Sequence, residues 1–94
     1  MRTITIFRRE GPLGGRIDAT ILSSEKELGV FKAEDEKVVY ELCKGEHSIQ
    51  AQVIDEGGKV FRSNVYFLTG GKSKNLYLTI SGYKLTLRSE DAKK

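Results

Sequence analysis

The feature that most constrains this chain is a two-residue periodicity. Apolar and polar residues alternate in short runs, and turn residues stop each run before it reaches the length of a stable helix. Thr3 to Arg8 sets Ile4 and Ile6 on one face, and the GPLGG stretch from Gly11 to Gly15 breaks the run. Ile17, Ala19 and Ile21 share a face of the next run. A polar turn from Ser23 to Lys26 leads to a short strand around Leu28 to Lys32, followed by the loop Ala33 to Lys37. Val38, Tyr40 and Leu42 line another run, and His47, Ile49, Ala51 and Val53 are in phase in the one after it.

Asp55-Glu56-Gly57-Gly58 supplies a tight reversal, because glycine there permits the positive φ that hairpin loops demand. Lys59 to Leu68 returns with Phe61, Val65 and Phe67 on one parity and Tyr66 and Leu68 on the other, so both of its faces are expected to be partly covered. Leu76, Leu78 and Ile80 follow the Gly70-Gly71 break. Tyr83, Leu85 and Leu87 form the last inward row, and the SEDAKK tail is read as a frayed end. No window of eleven or more residues repeats apolar positions every three to four. The capping-box spacing of Ser24 and Glu27 meets Gly29 within about a turn and a half of helix, so SSEKEL reads as a hairpin loop. The expectation is an all-β domain of seven to eight short antiparallel strands, a β-sandwich in preference to a barrel.

At 94 residues the chain has room for one domain, 1–94, with a core that needs no staples. Its single cysteine, Cys43, excludes an internal disulfide and fits a reducing compartment. No segment approaches the roughly 20 apolar residues of a membrane-spanning helix, and the early arginines lack the apolar stretch of a signal peptide. As given, the chain reads as cytoplasmic, or as envelope or extracellular if a leader was removed.

Catalytic chemistry finds few candidates. His47 is the only histidine; it stands four residues from Cys43, with Gly45 interrupting any shared strand face. Two such residues cannot make a four-ligand zinc site. The acids Glu34, Asp35 and Glu36 sit together in a loop, where adjacent carboxylates are normally solvated. Gly71-Lys72-Ser73 copies the end of a phosphate-binding loop, but a strand-like run follows it instead of a helix. It reads as a turn. No enzyme activity, cofactor or metal is expected.

Two surface features remain. Net charge is +3, and its distribution is uneven: Met1 to His47 holds eight basic against nine acidic residues, while Ser48 to Lys94 holds eight against four. Arg8, Arg9 and Arg16 flank the first glycine loop and Lys72 and Lys74 sit on another, so their convergence would make an anion patch. Phe7, Tyr66 and Tyr77 fall on outward parity and form a candidate protein interface. The expected role is therefore a non-catalytic interaction or scaffolding module pairing through a sheet edge or this aromatic patch. The alternative is a module that binds an anionic polymer or glycan through the Arg/Lys patch; nucleic acid as such is not favoured.

The segment LCKGEHSIQAQV, Leu42 to Val53, followed after a strand by LTGGKSKNLYLTI, resembles PEGA-type modules and related small bacterial β-sandwich domains of unknown function. In those a Pro-Gly-Glu-His turn feeds a long strand, and Lys44 stands here where they usually carry proline. TIFRR, IDATIL and LGVFK extend the likeness over residues 2 to 80. The resemblance implies a prealbumin-like or immunoglobulin-like sandwich and no reaction.

Overall fold

The structure, a computed structural model, describes residues 2–10 and 17–89. The GPLGG break, Arg16 and the tail after Ser89 lie outside the described residues. Within them there are nine strands and no helix: β1 (Arg2–Glu10), β2 (Ala19–Ser23), β3 (Lys26–Phe31), β4 (Lys37–Leu42), β5 (His47–Ile54), β6 (Val60–Arg62), β7 (Tyr66–Leu68), β8 (Lys74–Ser81) and β9 (Lys84–Ser89). One sheet has the order β4-β1-β8-β9. The other runs β3-β2-β5-β6, with β7 also paired to β5. Among the described residues no helix is long and apolar enough to cross a membrane.

The two sheets share one core. Ile4 and Ile6 of β1, Leu76, Leu78 and Ile80 of β8, and Leu85 and Leu87 of β9 meet Ala19, Ile21, Phe31, Ile49, Ala51 and Val53 of the second sheet. These are the alternate positions of each strand, which pleating turns to one side. Burying them supplies the main drive to fold, since each fully buried aliphatic side chain contributes about 1.5–3 kcal/mol.

Three expectations are corrected. The strands are not all antiparallel, because β1 and β8 run parallel, Ile4 beside Lys74 through Glu10 beside Ile80. The strands number nine, because the run from Lys59 to Leu68 is broken into β6 and β7. Val53 lies opposite Phe61 but Ile49 lies opposite Tyr66, so four steps along β5 match five along its partner. One extra residue is a bulge, and it reverses the parity beyond it. Tyr66 and Leu68 therefore point inward, while Phe67 is 76% exposed. The third correction is Tyr83, which is 48% exposed in the β8–β9 turn and stacks on Phe61 with ring centroids 4.7 Å apart.

The bulge is held by side chains that imitate backbone. Ser63 N–H donates to the Ala51 carbonyl at 2.9 Å, and Ser63 Oγ accepts from Ala51 N at 2.9 Å, as a ladder carbonyl would. Asn64 then reaches the other sheet. Its Oδ1 accepts from Leu87 N at 2.8 Å and its Nδ2 donates to Leu87 O at 2.9 Å, so an amide side chain occupies one rung on the outer edge of β9.

Candidate functional site

Of the five residues expected to converge, the four that are described, Arg8, Arg9, Lys72 and Lys74, do not, and Arg16 lies outside the described residues. Arg8 follows Ile4 and Ile6 in the inward row of β1 and is only 8% exposed. Its Nε donates to Asp35 O at 3.1 Å and its Nη2 to Lys32 O at 2.8 Å and Phe31 O at 3.4 Å. Its guanidinium carbon lies 4.4 Å from the centroid of the Phe31 ring. Arg8 thus plugs one end of the interlayer space, with its Nε and Nη2 engaged by carbonyls of β3 and the β3–β4 loop. Lys74 opposes Ile4, four strand residues or roughly 13 Å from the Arg8 position, so Lys72 and Lys74 belong to the opposite end.

Arg9 does the reverse. One residue further along, it points away from the core, and its guanidinium carbon sits 4.2 Å from the centroid of Tyr77. Tyr77 is the register partner of Phe7, and the two rings stack at 5.3 Å with an interplanar angle of 25°. Lys37 pairs with Phe7 from β4, and Arg88 pairs with Tyr77 from β9. Directly opposed residues share a face, so the row Lys37, Phe7, Tyr77, Arg88 crosses the whole four-stranded sheet, a span of about 14 Å. Lys84 projects on the same side. Among the described residues this outer face carries four cations, Arg9, Lys37, Lys84 and Arg88, against one carboxylate, Glu41.

The other sheet's outer face is close to neutral. Beyond the turn residues it presents Thr20, Gln50 and Gln52 beside the exposed apolar side chains of Val30, Ile54, Val60 and Phe67, with Glu27 and Arg62 as its strand charges; Arg62 Nε is engaged by Gln52 Oε1 at 2.9 Å. Among the described strand residues, outward-facing positive charge is therefore gathered on the four-stranded sheet.

Of the aromatic trio, Phe7 and Tyr77 stand together on the basic face, and Tyr66 does not join them. It is half-buried against the core of the second sheet. Tyr66, with Phe67, lines an open cleft of about 780 Å³ at the far end, formed by the loop Thr69 to Ser73 and by Arg2. Arg2 was missed at sequence level although its parity with Ile4, Ile6 and Arg8 marks it as inward. It is 3% exposed, and its Nη1 donates to Thr69 O at 2.7 Å and Gly70 O at 3.1 Å.

The residues weighed for catalysis are placed as follows. His47 Nε2 donates to the Cys43 carbonyl oxygen at 2.7 Å rather than facing the thiol, which is exposed. Asp35 accepts from Lys32 N at 3.3 Å and shapes the β3–β4 loop. Among the described residues no three His, Cys, Asp or Glu side chains gather as metal ligands. The Tyr40 phenol is held above its ordinary value of 10.0 by burial, reinforced by the carboxylates of Asp35 and Glu27. Comparison with protein-family models, with curated proteins and with solved structures finds no match.

Proposed function

We propose that this chain is a non-catalytic binding module, an immunoglobulin-like or prealbumin-like sandwich that presents the outer face of its four-stranded sheet to an anionic polymer. The observation that carries this reading is the Phe7–Tyr77 stack with Arg9 over it and Lys37 and Arg88 at its ends. Guanidinium groups fork onto phosphate, sulfate or carboxylate, and paired rings offer flat apolar area beside them. An open sheet face about 14 Å across suits an extended chain with repeated charges better than a small molecule, which favours concavity. The resemblance to PEGA-type modules supports the same class of non-catalytic domain.

Heparin chromatography tests it. The protein should elute at higher salt than a control of equal net charge, and replacing Arg9 and Arg88 with Ser should remove the difference while leaving the melting temperature nearly unchanged. Elution with the control ends the proposal.

A second reading, self-association by strand pairing, is favoured by β3 and β4, each of which pairs on one side only and carries an exposed valine, Val30 and Val39. β6 and β7 are three residues each, too short to template a partner well. Light scattering that shows a strict monomer at high concentration removes this reading.

A further inference from the structure

The cleft beside Arg2 lies at the end of the molecule where β8 begins, away from the Phe7–Tyr77 platform. Its defining group is a guanidinium that the fold has dehydrated without neutralising. Arg2 Nε is buried and has no hydrogen-bond acceptor, and both bonds its side chain makes run from Nη1 to neutral carbonyls. Guanidinium cannot shed its proton, so the charge persists inside the fold with no carboxylate among its described contacts. A buried cation without a counter-ion is held at a cost in folding free energy, and an anion that enters beside it recovers part of that cost.

The rest of the cleft points the same way. Lys72 and Lys74 line it with Arg2, and none of its lining residues is acidic. Ser73 and Thr69 add hydroxyl groups, and Gly70, at φ +73°, turns the loop so that it wraps the Arg2 side chain. A Cβ at Gly71 would lie 2.8 Å from Lys44 Cγ, so a further lysine stem lies against the loop. The opening is much larger than a bare oxyanion needs, and its remaining wall is aromatic, Tyr66 and the exposed Phe67.

We propose that this cleft binds a small phosphomonoester, with the phosphate held by Arg2, Lys72 and the Thr69–Ser73 loop and the organic group laid against Phe67. The Gly71-Lys72-Ser73 sequence then serves phosphate after all, through a buried guanidinium where a nucleotide-binding loop would use a helix N-terminus.

The test is an amide and arginine-Nε NMR titration of the full chain at constant ionic strength, first with inorganic phosphate and then with adenosine 5′-monophosphate, against chloride. Saturable shifts are expected at Thr69 to Lys74 and at Arg2 Nε–H, with the nucleotide binding several-fold more tightly and also moving Tyr66 and Phe67. Lys72→Glu should weaken both ligands at least tenfold. Phe67→Ser should abolish the nucleotide's advantage and spare phosphate binding. Arg9→Ser, on the outer sheet face, should change neither, which separates this site from the polymer-binding face. Shifts that fail to saturate, that chloride reproduces, or that centre on Arg9 and Tyr77 overturn the proposal; equal affinity for phosphate and nucleotide overturns the role of Phe67.

Discussion

Arg8 and Arg9 are neighbours in sequence and face opposite environments, so they should respond to mutation in opposite ways. Arg8→Met removes three hydrogen bonds to carbonyls and leaves the Phe31 carbonyl with a lost charged donor deep in the fold. We expect it to cost about 2–4 kcal/mol in urea denaturation, and Arg8→Lys to recover little, since an ammonium cannot span three carbonyls. Arg9→Ala loses an exposed cation–π contact and should cost no more than about 1 kcal/mol. A smaller penalty at Arg8 than at Arg9 would show that the inward row does not end in buried guanidinium. Tyr40 gives a pH-dependent counterpart. Its phenol titrates higher in the folded protein than in the unfolded chain, so the folded state holds the proton more tightly. That contribution is complete below pH 10 and is lost as pH rises through the folded value. Tyr40→Phe should therefore flatten the alkaline limb of the stability profile above pH 10 relative to the unmutated chain. Profiles that stay parallel would remove the burial effect.

Among the elements, those the sequence marks clearly are the ones whose information is local. The inward rows Ile4/Ile6, Ile49/Ala51/Val53, Leu76/Leu78/Ile80 and Leu85/Leu87 follow from alternation alone. The Ser23–Lys26 turn follows from its run of polar residues, and the Asp55–Gly58 turn from turn chemistry. In the second, Gly58 takes φ +88°, its N–H donates to Asp55 O at 3.0 Å, and Asp55 Oδ1 accepts from Lys59 N at 2.8 Å. In the first, the positive φ of 50° and 71° falls on Ser24 and Glu25, where side chains are strained. Ser24→Asn with Glu25→Gly should raise stability by about 1 kcal/mol with no change in the register of β2 and β3, readable as a shift in urea midpoint. What alternation could not show is partnership. Nothing local tells β1 to run parallel to β8, and Ser63-Asn64 look like ordinary polar residues until Ala51 and Leu87 are brought beside them. Asn64→Ala should leave the fold intact while the Leu87 amide exchanges with solvent faster by about tenfold or more, as expected for loss of one bond worth about 1–1.5 kcal/mol. An unchanged Leu87 exchange rate would mean that β9 does not need its side-chain rung.

For the molecule as a whole, the sequence showed an excess of positive charge in its second half, but not that folding would collect Arg9, Lys37, Lys84 and Arg88 on one sheet and seal Arg2 and Arg8 inside. Charge-to-surface reasoning misplaces these two arginines because the open ends of a two-layer fold offer bare loop carbonyls, which a guanidinium on an inward row can reach. The outer-face cations have no such partners within the sheet to explain them. Four cations facing one carboxylate repel one another in the absence of a ligand, and natural sheets usually relieve that with cross-strand acids. Thr79 stands between Arg9 on β1 and Thr86 on β9, where an acid would relieve it. Thr79→Glu should raise the melting temperature at low salt, by the equivalent of about 0.2–1 kcal/mol, and lose that gain as salt screens the face. If the cations are kept for a polyanionic partner, the same substitution must also weaken heparin binding and lower its salt slope. Stabilisation without any loss of binding would show that the basic face is incidental charge, and the recognition surface would have to lie elsewhere on the chain.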